Sequence, residues 1–94
     1  MKKIETEMCA AVDGCYNYSK GNTRVEKTTN GVTVWLHGNL ICKKVNGVKS
    51  YYTAGWDSAT TCSRLNALGA CVSRRGGYIH YQDGTPVQTY YKPY

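Results

Sequence analysis

The side chains able to do covalent or metal chemistry are few: two histidines, His37 and His80, five cysteines and six carboxylates. A cysteine nucleophile needs an imidazole within hydrogen-bond reach and a third group to orient that imidazole. Cys42 and His37 are the one conceivable pair, because strand alternation sets both on the same outward face. They fall in different cross-strand rows, however, and no carboxylate sits near them to orient the ring. Two His and two Cys could make a zinc site only with paired ligand spacing, which is missing. Gly76-Gly77 is a lone pair with no phosphate-loop fingerprint around it. The carboxylates are scattered, so no two are placed for hydrolysis. The expectation is a protein that is not an enzyme, with no metal and no cofactor.

The cysteines (Cys9, Cys15, Cys42, Cys62, Cys71) are odd in number and widely spaced, which fits free thiols acting as small hydrophobes better than a disulfide scaffold. A chain of 94 residues suffices for one hydrophobic core, so a single domain over 1–94 is expected. With 41% hydrophobic and 19% charged residues the composition is globular. No stretch approaches the ~18 apolar residues of a membrane span. No apolar run follows Lys2-Lys3, so a cytoplasmic protein without a signal peptide is expected.

The net charge is +6. Residues 1–26 are neutral, so the whole excess lies in residues 27–94, where only Asp57 and Asp83 oppose the cations. A basic surface suits nucleic acid or an acidic protein patch, and it also serves solubility. Phenylalanine is absent while tyrosine occurs nine times. Tyrosine joins an apolar ring to a hydroxyl that suits a partly exposed surface, and this tilts the reading towards interfaces.

The elements that must position these side chains follow from periodicity. Ile4, Met8, Ala11 and Val12 predict a helix over 3–12, ended by Gly14. Residues 13–22 read as a loop. Asn30-Gly31, Gly38-Asn39 and Asn46-Gly47 are hairpin-turn signals dividing four strands, about 23–29, 32–37, 40–45 and 48–54. Asp57 or Ser58 caps a helix over 59–73 with the stripe Cys62, Leu65, Leu68 and Val72, weakened at Gly69. Strands at 78–82 and 87–91 flank the turn Asp83-Gly84-Thr85-Pro86. The fold class is therefore α+β, an antiparallel meander sheet flanked by two helices in the order α-β-β-β-β-α-β-β.

Two-residue turns would fix the register and set Val25, Val32, Val34, Leu36, Ile41, Val45, Val48 and Tyr52 on a core face. Lys27 and Lys43 fall on that same face, which requires them to snorkel or a bulge to shift one strand. The opposite face then carries Glu26, Trp35, Cys42 and Tyr51 in one row. Beside it lie the rows Arg24, His37, Leu40, Thr53 and Thr28, Thr33, Lys44, Lys49. Trp35 and Tyr51, ringed by Arg24, His37, Lys44 and Lys49, would form a cationic aromatic platform. Bases can stack on such a platform, and a protein partner can use it as a hot spot. The alternative is that the C-terminal Tyr-rich hairpin covers this face and makes Trp35 core. Arg64, Arg74 and Arg75 are a second basic patch, or else a solvated helical face whose cations favour the helix dipole.

Several strings resemble small early proteins of tailed bacteriophages: Met1-Lys2-Lys3-Ile4-Glu5-x-x-Met8, Asn22-Thr23-Arg24-Val25, Leu36-His37-Gly38-Asn39 and Gly55-Trp56-x-Ser58-x-Thr60-Thr61-x-Ser63-Arg64-Leu65-Asn66-Ala67-Leu68. The resemblance runs over residues 1–70 and implies a phage accessory protein in the cytoplasm of an infected bacterium. It carries no established activity and so assigns no residue a role. By analogy, such a protein binds a host or anti-phage-defence protein and modulates it. Nucleic acid is the alternative partner, and a membrane is not expected. An uncovered sheet edge could also pair two copies.

Overall fold

A computed structural model of the chain describes residues 2–89. Helix α1 (Lys3–Gly14) precedes five strands: β1 (Tyr18–Lys20), β2 (Thr23–Lys27), β3 (Gly31–Leu36), β4 (Asn39–Val45) and β5 (Val48–Tyr51). Helix α2 (Ala59–Ala67) and a hairpin of β6 (Val72–Arg75) and β7 (Tyr78–Tyr81) complete the chain. The five strands form one antiparallel sheet in sequence order, and the last two form a separate ribbon. The α+β class and the meander are as expected. The additional strand β1 lies in the segment read as a loop, where Tyr18, Ser19 and Lys20 pair with Val25, Arg24 and Thr23. Of the strand expected over 87–91, the described part shows an isolated bridge between His80 and Pro86, and residues 90 and 91 lie outside the described residues.

Both helices and the ribbon bury their apolar residues in one cluster on one face of the sheet. Met8, Ala11 and Val12 of α1 and Leu65 of α2 meet Val25, Val32, Val34, Leu36 and Ile41 there, and Val72, Ile79 and Val87 close the margin. Each such fully buried aliphatic side chain contributes about 1.5–3 kcal/mol from removal of apolar surface from water.

Helix α2 ends earlier than its apolar stripe implies. Ser58 is the cap, accepting a hydrogen bond from the Thr61 amide at 3.1 Å. Gly69 does not weaken the middle of a longer helix but ends this one, at φ +100, a backbone conformation open to a residue without Cβ. The Asn66 carboxamide then grips the start of β6, accepting from the Val72 amide at 2.6 Å and donating to its carbonyl at 2.9 Å. Residues 72–75 are therefore strand, not helix.

The turns decide the register. Asn46-Gly47 is the expected turn with positive φ at both residues, +51 and +82. The β3–β4 turn is centred on His37-Gly38, not Gly38-Asn39, again with both φ positive, +52 and +77. Asn30-Gly31 is not a turn centre, because Gly31 already belongs to β3 and Lys27 faces Val32. Gly31 serves close approach: a Cβ there would lie 1.8 Å from the Lys44 carbonyl oxygen.

A bulge between β3 and β4 corrects the expected faces. Trp35 pairs with Leu40 and Val34 with Cys42, leaving Ile41 as the extra residue. Ile41 and Cys42 are both buried. Beyond the bulge every side chain of β4 and β5 exchanges faces relative to the unbulged register. Cys42, Lys44, Lys49 and Tyr51 lie on the helix side. Lys43, Val45, Val48 and Ser50 turn outward, and Val48, expected in the core, is 68% exposed. The bulge thus moves Lys43 off the core face, while Lys27 stays on it at the exposed margin.

One buried ion pair ties the two helices together. Arg64 donates to Glu5 at 2.7 Å and to the Thr23 hydroxyl at 3.2 Å, and Ser63 also donates to Glu5. Arg64 was expected to point outward, yet both partners of the pair are buried. Burial pushes the Glu5 carboxyl up, but hydrogen bonds from Ser63 and Arg64, with the Arg64 charge, outweigh it and hold Glu5 below the usual carboxylate range.

Candidate functional site

The outward face of the five-stranded sheet holds Arg24 and Glu26 from β2, Thr33 and Trp35 from β3, Leu40, Lys43 and Val45 from β4, and Val48 and Ser50 from β5. None of Trp35, Leu40, Val45 or Val48 joins the core cluster. Among the described residues no helix or ribbon strand lies over Trp35, which is half-buried. The Arg24 guanidinium stacks over its indole at 5.2 Å from the ring centroid. Arg24 also pairs with Glu26 at 2.9 Å, and the Trp35 N–H donates to the Thr33 hydroxyl at 2.9 Å. These contacts hold the indole at one orientation with its polar edge satisfied.

The expected platform is only partly assembled. Arg24 and Trp35 meet, whereas Lys44, Lys49 and Tyr51 lie across the sheet. Lys44 donates to the Val12 carbonyl at the end of α1 at 3.3 Å. Lys49 and Tyr51 donate to the Leu68 carbonyl at the end of α2, at 3.1 and 3.2 Å. Each helix terminus leaves carbonyls without intrahelical partners, and a lysine there supplies a donor and a favourable charge. The second basic patch also separates. Arg64 is buried, Arg74 donates to the Asp57 carbonyl at 2.8 Å, and Arg75 lines a shallow polar cavity with His80 and Gln82. Cys42 and His37 do not share a face, because the thiol is wholly buried while His37 is exposed in its turn. Among the described residues no group of three or more His, Cys, Asp or Glu is placed to hold a metal ion.

His37 instead lines a second concavity, of about 520 Å³, at the end of the sheet. Leu36 and Ile41 are its apolar lining, Trp56 stands 64% exposed beside it, and Asn39, Thr53, Ser58, Thr60 and Thr61 supply polar groups. Trp56 is thrown outward by a tight turn in which Ala54 and Gly55 both have positive φ and the Trp56 amide donates to the Thr53 carbonyl at 2.8 Å. None of Asn39, Trp56 or Thr60 stood out as a contact residue in the sequence. The signal available was an aromatic residue two positions before a helix cap.

Fold and site together define a small α+β protein whose sheet is covered by helices on one face and, among the described residues, presents an arginine-stacked tryptophan on the other. The chain belongs to the Kyanoviridae Gp96 protein family, which it matches over residues 1–91. It is therefore a phage protein, as the resemblance implied, and the match extends beyond residue 70. No curated protein and no solved structure matches it. Among the described residues no helix is long and apolar enough to cross a membrane.

Proposed function

We propose that this phage protein acts without catalysis, by binding and modulating a host or anti-phage-defence protein through the outward face of its five-stranded sheet. The observation that carries this reading is the Arg24–Trp35 stack, set beside Leu40 on a sheet face that also carries Val45 and Val48 at its far end. Tryptophan and arginine dominate binding energy at protein interfaces, most of all where neighbouring apolar groups exclude water.

The distribution of charge favours a protein over nucleic acid as the partner. A phosphate-tracking surface needs several cations free to face the ligand. Here Lys44 and Lys49 are engaged by helix carbonyls on the other side, Arg24 shares its charge with Glu26, and Lys43 is the one further cation that the five strands set on this face.

The test is affinity capture from host lysate with wild-type chain, Trp35→Ser and Arg24→Glu, each with and without nuclease. A host protein retained after nuclease, and lost from both variants while their circular dichroism stays native, is the expected result. Truncating such an anchor weakens binding by about thirtyfold or more. Loss of every partner from the wild type on nuclease treatment would transfer the face to nucleic acid. Equal retention by Arg24→Glu, whose side chain is exposed, would remove the face from binding altogether.

A further inference from the structure

The concavity at the end of the sheet is distinct from the outward face and has the make-up of a small-molecule site. Its volume, about 520 Å³, lies within the range of small-ligand pockets, which combine apolar walls with a few convergent polar groups. Leu36 and Ile41, 4% and 1% exposed, belong to the core and only close the floor, so the accessible apolar surface is that of Trp56. Three polar groups belonging to lining residues make no hydrogen bond among the described residues: the Asn39 carboxamide oxygen, the Thr60 hydroxyl and His37 Nδ1. Their neighbours are engaged. Thr61 meets Ser58 at 3.0 Å, the Thr53 hydroxyl accepts from Gly55 at 3.3 Å, and His37 Nε2 meets the Asn22 amide at 3.4 Å.

This set discriminates among ligand chemistries. An alkyl chain would satisfy Leu36 and Ile41 but bury the free polar atoms without partners. A metal ion or a multiply charged molecule would find no Asp, Glu, Lys or Arg in the lining. A free sugar carries hydroxyls on every side, more than the unengaged Asn39, Thr60 and His37 groups can match, since Thr53, Ser58 and Thr61 already have partners. A flat heteroaromatic ring with donors and acceptors confined to its edge matches both parts, one face on Trp56 and its edge towards Asn39, Thr60 and His37.

We infer that this cavity binds a nucleobase or nucleoside, stacked against Trp56 and hydrogen-bonded by Asn39, Thr60 and His37. The chain holds two tryptophans, and each indole N–H reports one site: Trp56 this cavity, Trp35 the sheet face. The experiment is a titration of the ¹⁵N-labelled full chain with adenosine, guanosine, cytidine and uridine in turn, followed by NMR. Ribose and N-acetyltryptophanamide are the comparison ligands.

Saturable shifts of the Trp56 indole and of the His37, Asn39 and Thr60 amides, with the Trp35 indole unmoved, are expected for at least one nucleoside. Trp56→Ala removes only an exposed side chain and leaves the spectrum dispersed, and it should weaken binding by at least about fivefold, as loss of one base stack does. Thr60→Val should weaken it as well. Absence of a saturable shift with all four nucleosides overturns the assignment, as does unchanged affinity in Trp56→Ala. Equal or tighter binding of ribose, or of N-acetyltryptophanamide, would also overturn it, the latter by making the cavity a receptor for a partner's aromatic side chain. None of these outcomes bears on the Arg24–Trp35 face, which the lysate capture tests separately.

Discussion

A cysteine reacts as its thiolate, and Cys42 is held far from that state: burial pushes its thiol up to about 12, with Lys49 and Lys44 only partly offsetting it. Cys71, in contrast, is exposed. In the native protein a disulfide reagent should therefore label Cys71 first and Cys42 only on unfolding, as counted by mass spectrometry. Rapid native labelling of Cys42 would mean that the bulge and its register are wrong. Gly31 permits a second residue-level test. Because a Cβ there would meet the Lys44 carbonyl, Gly31→Ala must separate β3 from β4, at a cost of about 1–3 kcal/mol typical of overpacking. Urea denaturation should show that loss, whereas Gly47→Asn, in an open turn with positive φ, should be nearly neutral.

At the level of elements, the Glu5–Arg64 pair joins α1 to α2 and makes stability depend on pH in a defined direction. Glu5 is held below its ordinary pKa of ~4.3, so the pair contributes fully above that pH. The contribution is lost as pH falls through the lower folded value. Glu5→Gln leaves Arg64 buried without its counter-charge and should destabilise by about 3–5 kcal/mol near neutrality. The gap between variant and wild type should narrow in urea titrations carried out in acid. A gap independent of pH would mean that Glu5 contributes packing alone. The helix ends offer a milder contrast: Lys49→Met removes the donor to Leu68 but keeps the aliphatic stem, and Tyr51 still donates there.

The same elements show what was legible and what was not. Val25, Val32, Val34 and Leu36 alternate strictly with polar or outward residues, so their face could be read directly. Leu40-Ile41-Cys42 is apolar throughout, and an unbroken apolar run carries no phase, so nothing there marked Ile41 as the extra residue. Lys43 on the core face was the one symptom. Tyr18-Ser19-Lys20 is too short and polar to register as a strand without the partner Thr23–Val25. Arg64 reads as a surface charge because its partner, Glu5, lies 59 positions away. For the site, the shared face of Arg24 and Trp35 was legible because both precede the bulge, although Arg24 was expected opposite His37 and stands opposite Trp35; Lys44, Lys49 and Tyr51 were misplaced because they follow the bulge.

Taken as a whole molecule, a chain of net charge +6 does not become a uniformly basic surface. Among the described residues, Arg64, Arg24 and Lys20 have carboxylate partners, and Lys44 and Lys49 have helix carbonyls. Binding to random-sequence single-stranded DNA should accordingly be weak and unaffected by Trp35→Ser. Fluorescence anisotropy would show otherwise if that face were a stacking platform.

The contact between Glu5 and Arg64 also orders events in time. The hairpins β2–β3, β3–β4 and β4–β5 pair residues close in the chain and can form early, but α1 cannot complete its buried contacts until residue 64 has been made and placed. During synthesis the first helix can pack on β1 and β2 early, but its Glu5 waits for its counter-charge until more than half the chain has emerged. If that docking belongs to the rate-limiting step, Glu5→Gln will slow refolding more than it hastens unfolding. If docking follows the barrier, the whole effect will fall on the unfolding rate.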